Sequence, residues 1–570
     1  MAYRNLDEYL IRLEQSGELI RIKSPVSPDL ALATLSDQMA KRPAERNKAL
    51  WFEQVEGSAF PIVANIFGTE RRMAWALGAE NLAEIEQRMA ALVNPAIPHG
   101  LGGMMSRAAE VMSAFRSSGM GMRPATKADV QEIVCKADLS IFPPIRLWEM
   151  EQTPTLTLAQ ILIQTNRVRQ TALGRVQILD SQTLGLPATL FAHHSAASRL
   201  PTAIVLGGDP AALWCANAPL PAGIDVYLLA GWLRKGAVKF SRAISQPMDV
   251  PSEAEFIIEG WVDPTDISSR GAISSDSGFY VPDSQLVAMH VTTITHRRDA
   301  ILPISIPSRP PTEHYWMNKA TERLFMPILR LLIGEIVDLN LPAVGVFRNL
   351  AVVSIKPHSL GAAQKVMFGL WGMGQLGLMK AIIVVDSDVD VQDLNAVARR
   401  VLQTVDWRRD VTLVNGMLHP EDFTTQVAGF GSKIGLDATL KAGQSLQPLP
   451  DPPQQADITK LTTLIGDQSR IFTGFIVAAH SQSTPLETAA MIWDTWPEYH
   501  IIIVDDDLDL DHLSEEAWRI VANINWAEDV TVGKSGEVMI NATTKDHLWP
   551  APLIKSPEIR PHPKPRKARG

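Results

Sequence analysis

The spacing of apolar side chains along the chain predicts an α/β region at the N-terminus. Four apolar residues from Leu6 to Leu13 recur every three or four positions, which predicts an amphipathic helix within residues 3–22, followed by a strand. The apolar run at 59–67 predicts another strand, and the pattern at 82–92 predicts another helix. Helices and strands therefore alternate in this part of the chain.

The pattern changes between residues 130 and 310. Short β-branched runs follow one another between turn signals, namely RVQILDS, TAIVLGG, AVKFSRAI, EFIIEGWV and LVAMHVTTITH. Many short strands without long helices between them predict a β-barrel or a β-sandwich. Residues 315–377 are predicted to be helical, and strands alternate with helices after them. The segment 95–125, rich in Gly, Met, Ser and Pro, is predicted to be a loop or a lid.

One stretch of sequence occurs twice. Residues 381–413 match residues 500–532 at a constant offset of 119 positions, and each copy predicts a buried strand, an acidic turn and a helix. Carboxylates at alternate positions either bind a divalent cation or cap the following helix, and we expect the second role. The shared polar and aromatic positions are Asp386, Asp388, Asp390, Trp407 and Asp410, which match Asp505, Asp507, Asp509, Trp526 and Asp529.

Composition and charge exclude several classes of protein. Apolar residues make up 46% of the chain, charged residues make up 20%, and the net charge is −9, which argues against disorder, a general nucleic-acid binder and a polybasic membrane binder. The two cysteines, Cys135 and Cys215, fit neither a disulfide framework nor a thiolate metal site. The longest apolar stretch, 324–337, contains Arg330 and Glu335, so no transmembrane helix is predicted. We expect a soluble cytoplasmic protein.

Two further sequence patterns are candidate binding sites. Gly372, Gly374 and Gly377 spell a GxGxxG motif, but they follow a predicted helix and precede a strand, whereas a dinucleotide site needs the opposite order. His193 and His194 are adjacent and would face opposite sides of a strand. One of them points into a site, or both are structural; the sequence leaves both interpretations open.

Three longer segments carry a family resemblance. They are TAIVLGGDPAALWCANAPLPAGIDVYLLAGWLRKG, VPSEAEFIIEGWVDP continuing to RGAISSDSGFY, and GFGSKIGLDAT. Together with the opening YRNLDEYLIRLEQSGELIRI, they resemble the UbiD family, decarboxylases that use prenylated flavin mononucleotide (FMN). The resemblance runs in family order from residue 3 to about 441 and leaves residues 450–570 uncovered.

The resemblance implies a fold of the α+β class. It comprises an N-terminal α/β domain, a central split β-barrel like that of flavin reductases, and a C-terminal α/β domain that usually dimerises in the family. We place the N-terminal domain at 1–125, the barrel at 126–320, a linker helix and the C-terminal domain at 321–450, an extension repeating the 381–413 unit at 451–548, and a disordered tail at 549–570.

The resemblance also implies catalytic residues, and here this sequence departs from the family. The family uses an arginine and two acids on the substrate carboxylate. The arginine position holds Gln177, and the two acid positions hold Arg270 and Ser275. Asp276, one position further along, is a possible substitute only if the strand register slips. No catalytic residue of the family is therefore intact.

The implied cofactor site departs in the same way. Family members bind prenylated FMN through a divalent metal, whose ligand positions here hold Ala172, His193 and Val226. Only His193 can ligate a metal, so we expect this chain to bind the metal and the cofactor weakly or not at all. Ser432 and Lys433 match residues near the flavin phosphate, and with His193 they are the candidate cofactor-binding residues.

Three functions remain open at this point. The first is a non-catalytic or partner-dependent subunit of an aromatic-acid carboxylase or decarboxylase, in a homo-oligomer or a hetero-oligomer with a catalytic UbiD-like paralog. The second is a free-standing carboxy-lyase in which Asp276, Arg270 and His194 form a new catalytic set. The third is a non-enzymatic ligand-binding or regulatory protein. We expect no nucleic-acid or membrane partner in any of these roles.

Overall fold

The computed structural model places the chain in two compact units, which are described separately. The first unit comprises residues 1–85, 95–317 and 551–570, and the second comprises 86–94 and 318–550. The structure describes residues 3–93, 122–165, 168–192, 194, 199–221, 223–269, 271–281, 285–356, 359–449, 459, 469–472, 475–480, 484–545 and 552–553.

The first unit begins with a small mixed sheet and the helices around it. The strands have the order β1-β2-β3-β16, with β1 at Leu19–Ile22, β2 at Ala49–Phe52, β3 at Ile62–Ala64 and β16 at Leu302–Ile304. The helices are α1 (Leu6–Gln15), α2 (Ala31–Ala40), α3 (Glu70–Ala76) and α4 (Leu82–Val93), the last of which continues into the second unit.

Both predicted helices in this region are confirmed. Asn5 caps α1 by accepting a hydrogen bond from the Glu8 amide at 3.2 Å, and the apolar face of α1 is buried. The strand predicted over 59–67 is shorter, because Asn65 has a φ of +57° and turns the chain out of the sheet.

A closed antiparallel barrel of six strands forms the centre of the first unit. Its order is β12-β9-β6-β7-β8-β15, and β15 pairs back with β12 to close it. Apolar side chains from all six strands share one buried cluster, so the predicted barrel is confirmed. The strands are β6 (Thr155–Thr165), β7 (Val168–Ile178), β8 (Thr183–Pro187), β9 (Leu200–Leu206), β12 (Phe256–Ser269) and β15 (Gln285–His296).

Shorter elements surround the barrel. They are the strands β4 (Met122–Pro124), β5 (Ile133–Lys136), β10 (Val238–Arg242), β11 (Asp249–Pro251), β13 (Ile273–Ser274) and β14 (Tyr280–Val281), and the helices α5 (Pro210–Cys215) and α6 (Val226–Arg234). Helix α7 (Glu313–Leu332) begins in the first unit and continues into the second.

The second unit contains two five-stranded sheets with the same strand order. The first sheet has β17 (Ile336–Asn340), β18 (Leu350–Ile355), β19 (Ala381–Asp386), β20 (Val411–Met417) and β21 (Phe430–Asp437), with helices α8 (Ala362–Trp371) and α9 (Leu394–Thr404). The second has β22 (Ser469–Phe472), β23 (Phe475–His480), β24 (His500–Asp505), β25 (Val530–Val532) and β26 (Val538–Asn541), with helices α10 (Pro485–Thr495) and α11 (Leu513–Ala522).

The pairing pattern is also the same in both sheets. Within each, the second, third and fifth strands of the chain are parallel, and the first and fourth pair antiparallel at the edges. The repeat is therefore a whole sheet with its helices, larger than the unit that the sequence predicts. We call residues 336–441 the first copy and residues 469–545 the second copy.

The prediction that residues 315–377 are helical is wrong. This range contains the strands β17 and β18 between the helices α7 and α8. Strand β18 is buried along nearly its whole length, and a short continuous apolar run does not distinguish a buried strand from a buried helix. The rejection of the GxGxxG motif agrees with the structure, because the three glycines lie between α8 and β19.

No helix in the described part of the chain is long and apolar enough to cross a membrane.

Candidate functional site

Gln177 lies near the end of the barrel strand β7. Its side chain is 2% exposed, and its Oε1 accepts a hydrogen bond from the Thr153 hydroxyl at 2.9 Å. A neutral amide carries no permanent charge, so this buried position cannot attract a substrate carboxylate as a guanidinium does. Arg175 lies two residues earlier and therefore on the same face of β7, and its Nη1 donates to the Ser274 hydroxyl at 3.4 Å.

The segment assigned to the catalytic acids forms the hairpin β13–β14. The Ser275 amide donates to the carbonyl of Phe279 at 2.9 Å, and Ser275 is buried in this turn. Asp276 follows within the same turn, because only Ile273 and Ser274 pair with the returning strand. Its role as a substitute acid stays a prediction. Arg270 lies outside the described residues.

The carboxylate of Asp276 pairs with a residue that sequence reasoning missed. Asp276 Oδ1 lies 2.8 Å from His314 Nδ1, on the first turn of α7. Burial alone would lower the pKa of His314, but the Asp276 and Glu313 carboxylates outweigh it and raise that pKa above its ordinary value. The ion pair with Asp276 therefore stabilises the protonated form of the imidazole. The only sequence signal was a histidine at the predicted start of a helix.

Glu313, next to His314, is almost fully buried. Its Oε1 accepts a hydrogen bond from the Phe67 amide at 2.7 Å. Burial raises the pKa of Glu313 to about 7, partly offset by that amide and by His314. Glu313, with a pKa near neutral, thus lies next to a histidine whose pKa is raised.

The implied metal-ligand positions on the barrel side lack donor atoms. Ala172 lies on β7 and Val226 is the first residue of α6. The neighbouring carboxylate, Asp225, caps α6 through the Tyr227 amide at 3.0 Å and accepts from the Arg169 guanidinium at 2.6 Å. An arginine therefore already neutralises the carboxylate closest in sequence to Val226, and these side chains do not fit a divalent metal.

The adjacent histidines, His193 and His194, are the remaining candidate ligands. His193 lies outside the described residues. His194 follows a short 3-10 turn and is not on a strand, and its Nε2 lies 3.1 Å from Gln170 Oε1. Within the described ranges, no group of three or more His, Cys, Asp or Glu side chains is arranged to hold a metal ion.

Ser432 and Lys433 lie on β21 in the second unit, where both are buried. The Ser432 hydroxyl donates to Asn525 Oδ1 at 2.6 Å and accepts from the Ala527 amide at 3.1 Å, so it joins the first copy to the second. The Lys433 ammonium donates to the carbonyl of Gly377, and burial lowers the pKa of Lys433 to about 8. The structure therefore gives Ser432 a structural role that the resemblance did not imply.

The repeated acidic turns are ion-paired. Arg400 donates to Asp386 at 3.0 Å and to Asp388 at 2.6 Å in the first copy. The equivalent arginine of the second copy pairs with Asp505 and Asp507. The helix cap of α9 is a different residue, Asp393. An arginine thus pairs with two of the three aspartates in each turn. The third accepts a backbone hydrogen bond: Asp390 from the Gln392 amide, and Asp509 from the Asp511 amide, where it caps a short 3-10 helix as predicted.

Family models match most of the chain. The N-terminal, Rift-related and C-terminal domain models of 3-octaprenyl-4-hydroxybenzoate carboxy-lyase match residues 10–92, residues 123–310, and residues 315–438 and 469–551, respectively. The expectation that the resemblance stops before residue 450 is therefore wrong, because the C-terminal model also matches the second copy.

Two curated relatives each match about three quarters of this chain. An uncharacterized protein of Archaeoglobus fulgidus is 35% identical over 460 residues, covering 77% of this chain and 92% of that protein. An uncharacterized protein of Aquifex aeolicus is 34% identical over 452 residues, with the same coverage of both chains.

Solved structures share the fold. The UbiD-class enzyme HmfF of Pelotomaculum thermopropionicum, determined with prenylated FMN, has a TM-score of 0.64 at 24% identity and is covered completely by 80% of this chain. The vanillic acid decarboxylase of Sedimentibacter hydroxybenzoicus has a TM-score of 0.66 at 22% identity, covering 82% of this chain and 99% of that chain.

Proposed function

This chain belongs to the UbiD family, and we propose that within it the chain is a non-catalytic or partner-dependent subunit of an aromatic-acid carboxylase or decarboxylase. The observation that carries the proposal is the buried, neutral Gln177, held by Thr153 where the resemblance requires a guanidinium. In the chemistry that the resemblance implies, a guanidinium at this position orients the substrate carboxylate, and an amide does not supply that charge.

The metal positions support the same proposal. Ala172 and Val226 offer no ligand oxygen, and Asp225 is paired with Arg169 at 2.6 Å. The family's cofactor supplies an electron sink when it is bound, but the side chains that would hold its metal-linked phosphate do not fit that task here. A solved neighbour, the vanillic acid decarboxylase of Sedimentibacter hydroxybenzoicus, is a two-subunit form, so a second kind of chain in the assembly has a precedent among the structural neighbours.

Cofactor content tests the proposal directly. We would co-express the chain with a flavin prenyltransferase, purify it, and record its absorbance and the mass of any released cofactor. The expected result is far less than one equivalent of prenylated FMN, while a family member with intact signatures, expressed in the same cells, retains about one. Stoichiometric cofactor in this chain would overturn the proposal.

A second candidate is a free-standing carboxy-lyase with altered residues, and the Asp276–His314 ion pair is the observation that favours it. Arg175 and the charged His314 would orient a carboxylate, and Glu313 would exchange a proton near neutral pH. This replaces the set predicted from sequence, since His194 contacts Gln170 instead.

Variants separate the two candidates. If the second holds, carboxyl transfer on aromatic acids is measurable in the purified chain with cofactor supplied, and it is lost in Asp276→Asn and His314→Gln. His194→Gln is the matched control and should retain the activity. Absence of activity in the unaltered chain, together with activity on addition of a catalytic paralog, supports the first candidate.

A further inference from the structure

The two copies in the second unit bury equivalent faces against each other. Both sheets contribute to one apolar cluster, and four pairs of contributing positions correspond at the offset of 119. Val385, Val389, Val391 and Val401 of the first copy have the equivalents Val504, Leu508, Leu510 and Ile520 in the second, and all eight are buried in that cluster.

Polar contacts also join the copies. Ser432 of the first copy bonds Asn525 of the second at 2.6 Å, and the buried Lys380 ammonium donates to the carbonyl of Ala522 at 3.3 Å. Nearer the surface, Arg408 Nη2 donates to the carbonyls of Gly533 and Lys534 at 2.5 and 2.9 Å. Apolar packing and hydrogen bonds therefore both stabilise the interface between the two copies.

Contact through the same patch on both partners defines a two-fold, self-complementary interface in homodimers. Here the two partners are segments of one chain. We propose that the second copy occupies, in cis, the face through which a single copy would pair with another chain, so that the second unit is an internal dimer. Any homo- or hetero-oligomeric partner of this protein must then bind through a different surface.

The inference does not depend on whether the barrel is catalytic, because it rests only on contacts within the second unit.

Cross-linking of the full chain tests whether the two copies that pair belong to one chain or to two. Arg408→Cys and Lys534→Cys together place two thiols beside the interface, in a Cys135→Ser background that leaves only the buried Cys215. A short bis-maleimide is added to an equal mixture of unlabelled and ¹⁵N-labelled protein. We expect the product to keep the mass of one chain, and every 408–534 cross-linked peptide to carry a single isotope.

Mixed-isotope 408–534 peptides at the statistical frequency, with a product of twice the mass, would overturn the proposal, because the faces would then pair between chains. The single variant Arg408→Cys is the matched control. It should give no covalent dimer, and efficient dimer formation from it would also overturn the proposal, since a second chain would then lie at this face.

Discussion

The two copies of the C-terminal sheet retain the same ion pairs at one end but differ in the hairpin that follows. Arg400 holds Asp386 in the first copy, and Asp386 also accepts from the Leu440 amide at 2.7 Å. In the second copy, Asp505 pairs with its own arginine and accepts from the Thr544 amide at 3.0 Å. These contacts join the ends of neighbouring strands, so each copy needs them for its own fold.

The antiparallel hairpin at the edge of each sheet differs in length between the two copies. Strands β20 and β21 enclose a long loop, 418–429, whereas β25 and β26 enclose only 533–537. After the hairpin the offset between the copies falls from 119 to 104, which aligns Lys433 with Glu537. The longer loop also supplies Asp422, which pairs with the buried Lys380 at 2.7 Å. Features tied to this loop are therefore specific to the first copy.

The largest difference is expected at position 380 and its equivalent, Tyr499. Lys380→Met leaves the buried Asp422 carboxylate without its cation and should lower the free energy of unfolding by about 3–5 kcal/mol. Tyr499→Phe in the second copy should cost much less. Urea unfolding of the full chain measures both, and the double variant Lys380→Met/Asp422→Asn should recover part of the loss. Equal costs at the two positions would remove the distinction between the copies.

Replacing the repeated tryptophan should also destabilise the protein more in the first copy than in the second. Trp407 is 6% exposed within the shared apolar cluster, whereas Trp526 is only partly buried at its edge. Trp407→Ala should cost about 3 kcal/mol, and Trp526→Ala about half of that, because the cost follows the apolar surface and cavity involved. Thermal unfolding midpoints of the two variants provide the check. A larger loss for Trp526→Ala would contradict the burial that distinguishes the two positions.

The repeated arginines should behave alike. Arg400→Ala and Arg519→Ala each leave two aspartates unpaired, one of them well exposed in each copy. We expect each to cost about 1–2 kcal/mol, since partly exposed pairs contribute modestly. The two values, measured by urea unfolding, should agree within about 0.5 kcal/mol. A marked inequality would mean that the ion pairs do not serve the two copies equally.

A pH dependence of the free energy of unfolding is expected at Lys433. Burial lowers the pKa of Lys433 to about 8 in the folded chain, below the ordinary value of 10.5. Between those values the unfolded chain holds a proton that the folded chain has released, so the free energy of unfolding should rise with pH across this window. Lys433→Met should lack this rise, whereas Glu537→Gln should retain it. Parallel curves for wild type and Lys433→Met would contradict the assignment.

The barrel region shows which parts of a site are accessible to sequence reasoning. The β-branched runs indicated the strands. Gln177, Ala172 and Val226 were proposed as site positions because they stand at fixed places in a recognised order of segments. His314 was missed, since it lies far along the chain from Asp276 and only folding brings the two within 2.8 Å. Arg169 was missed for the same reason, because its partner Asp225 lies on another element.

The order of residue types along the chain was enough to predict most elements of this protein, its family and the existence of a repeat, because each depends on local sequence. The extent of the repeat and the contacts of its aspartates became clear only from the folded chain. Sheet order and the ion pairs of Arg400 and Arg519 depend on which distant strands become neighbours. Which strands become neighbours depends on burial of the apolar face that both copies share, and residues from many separate segments form that face.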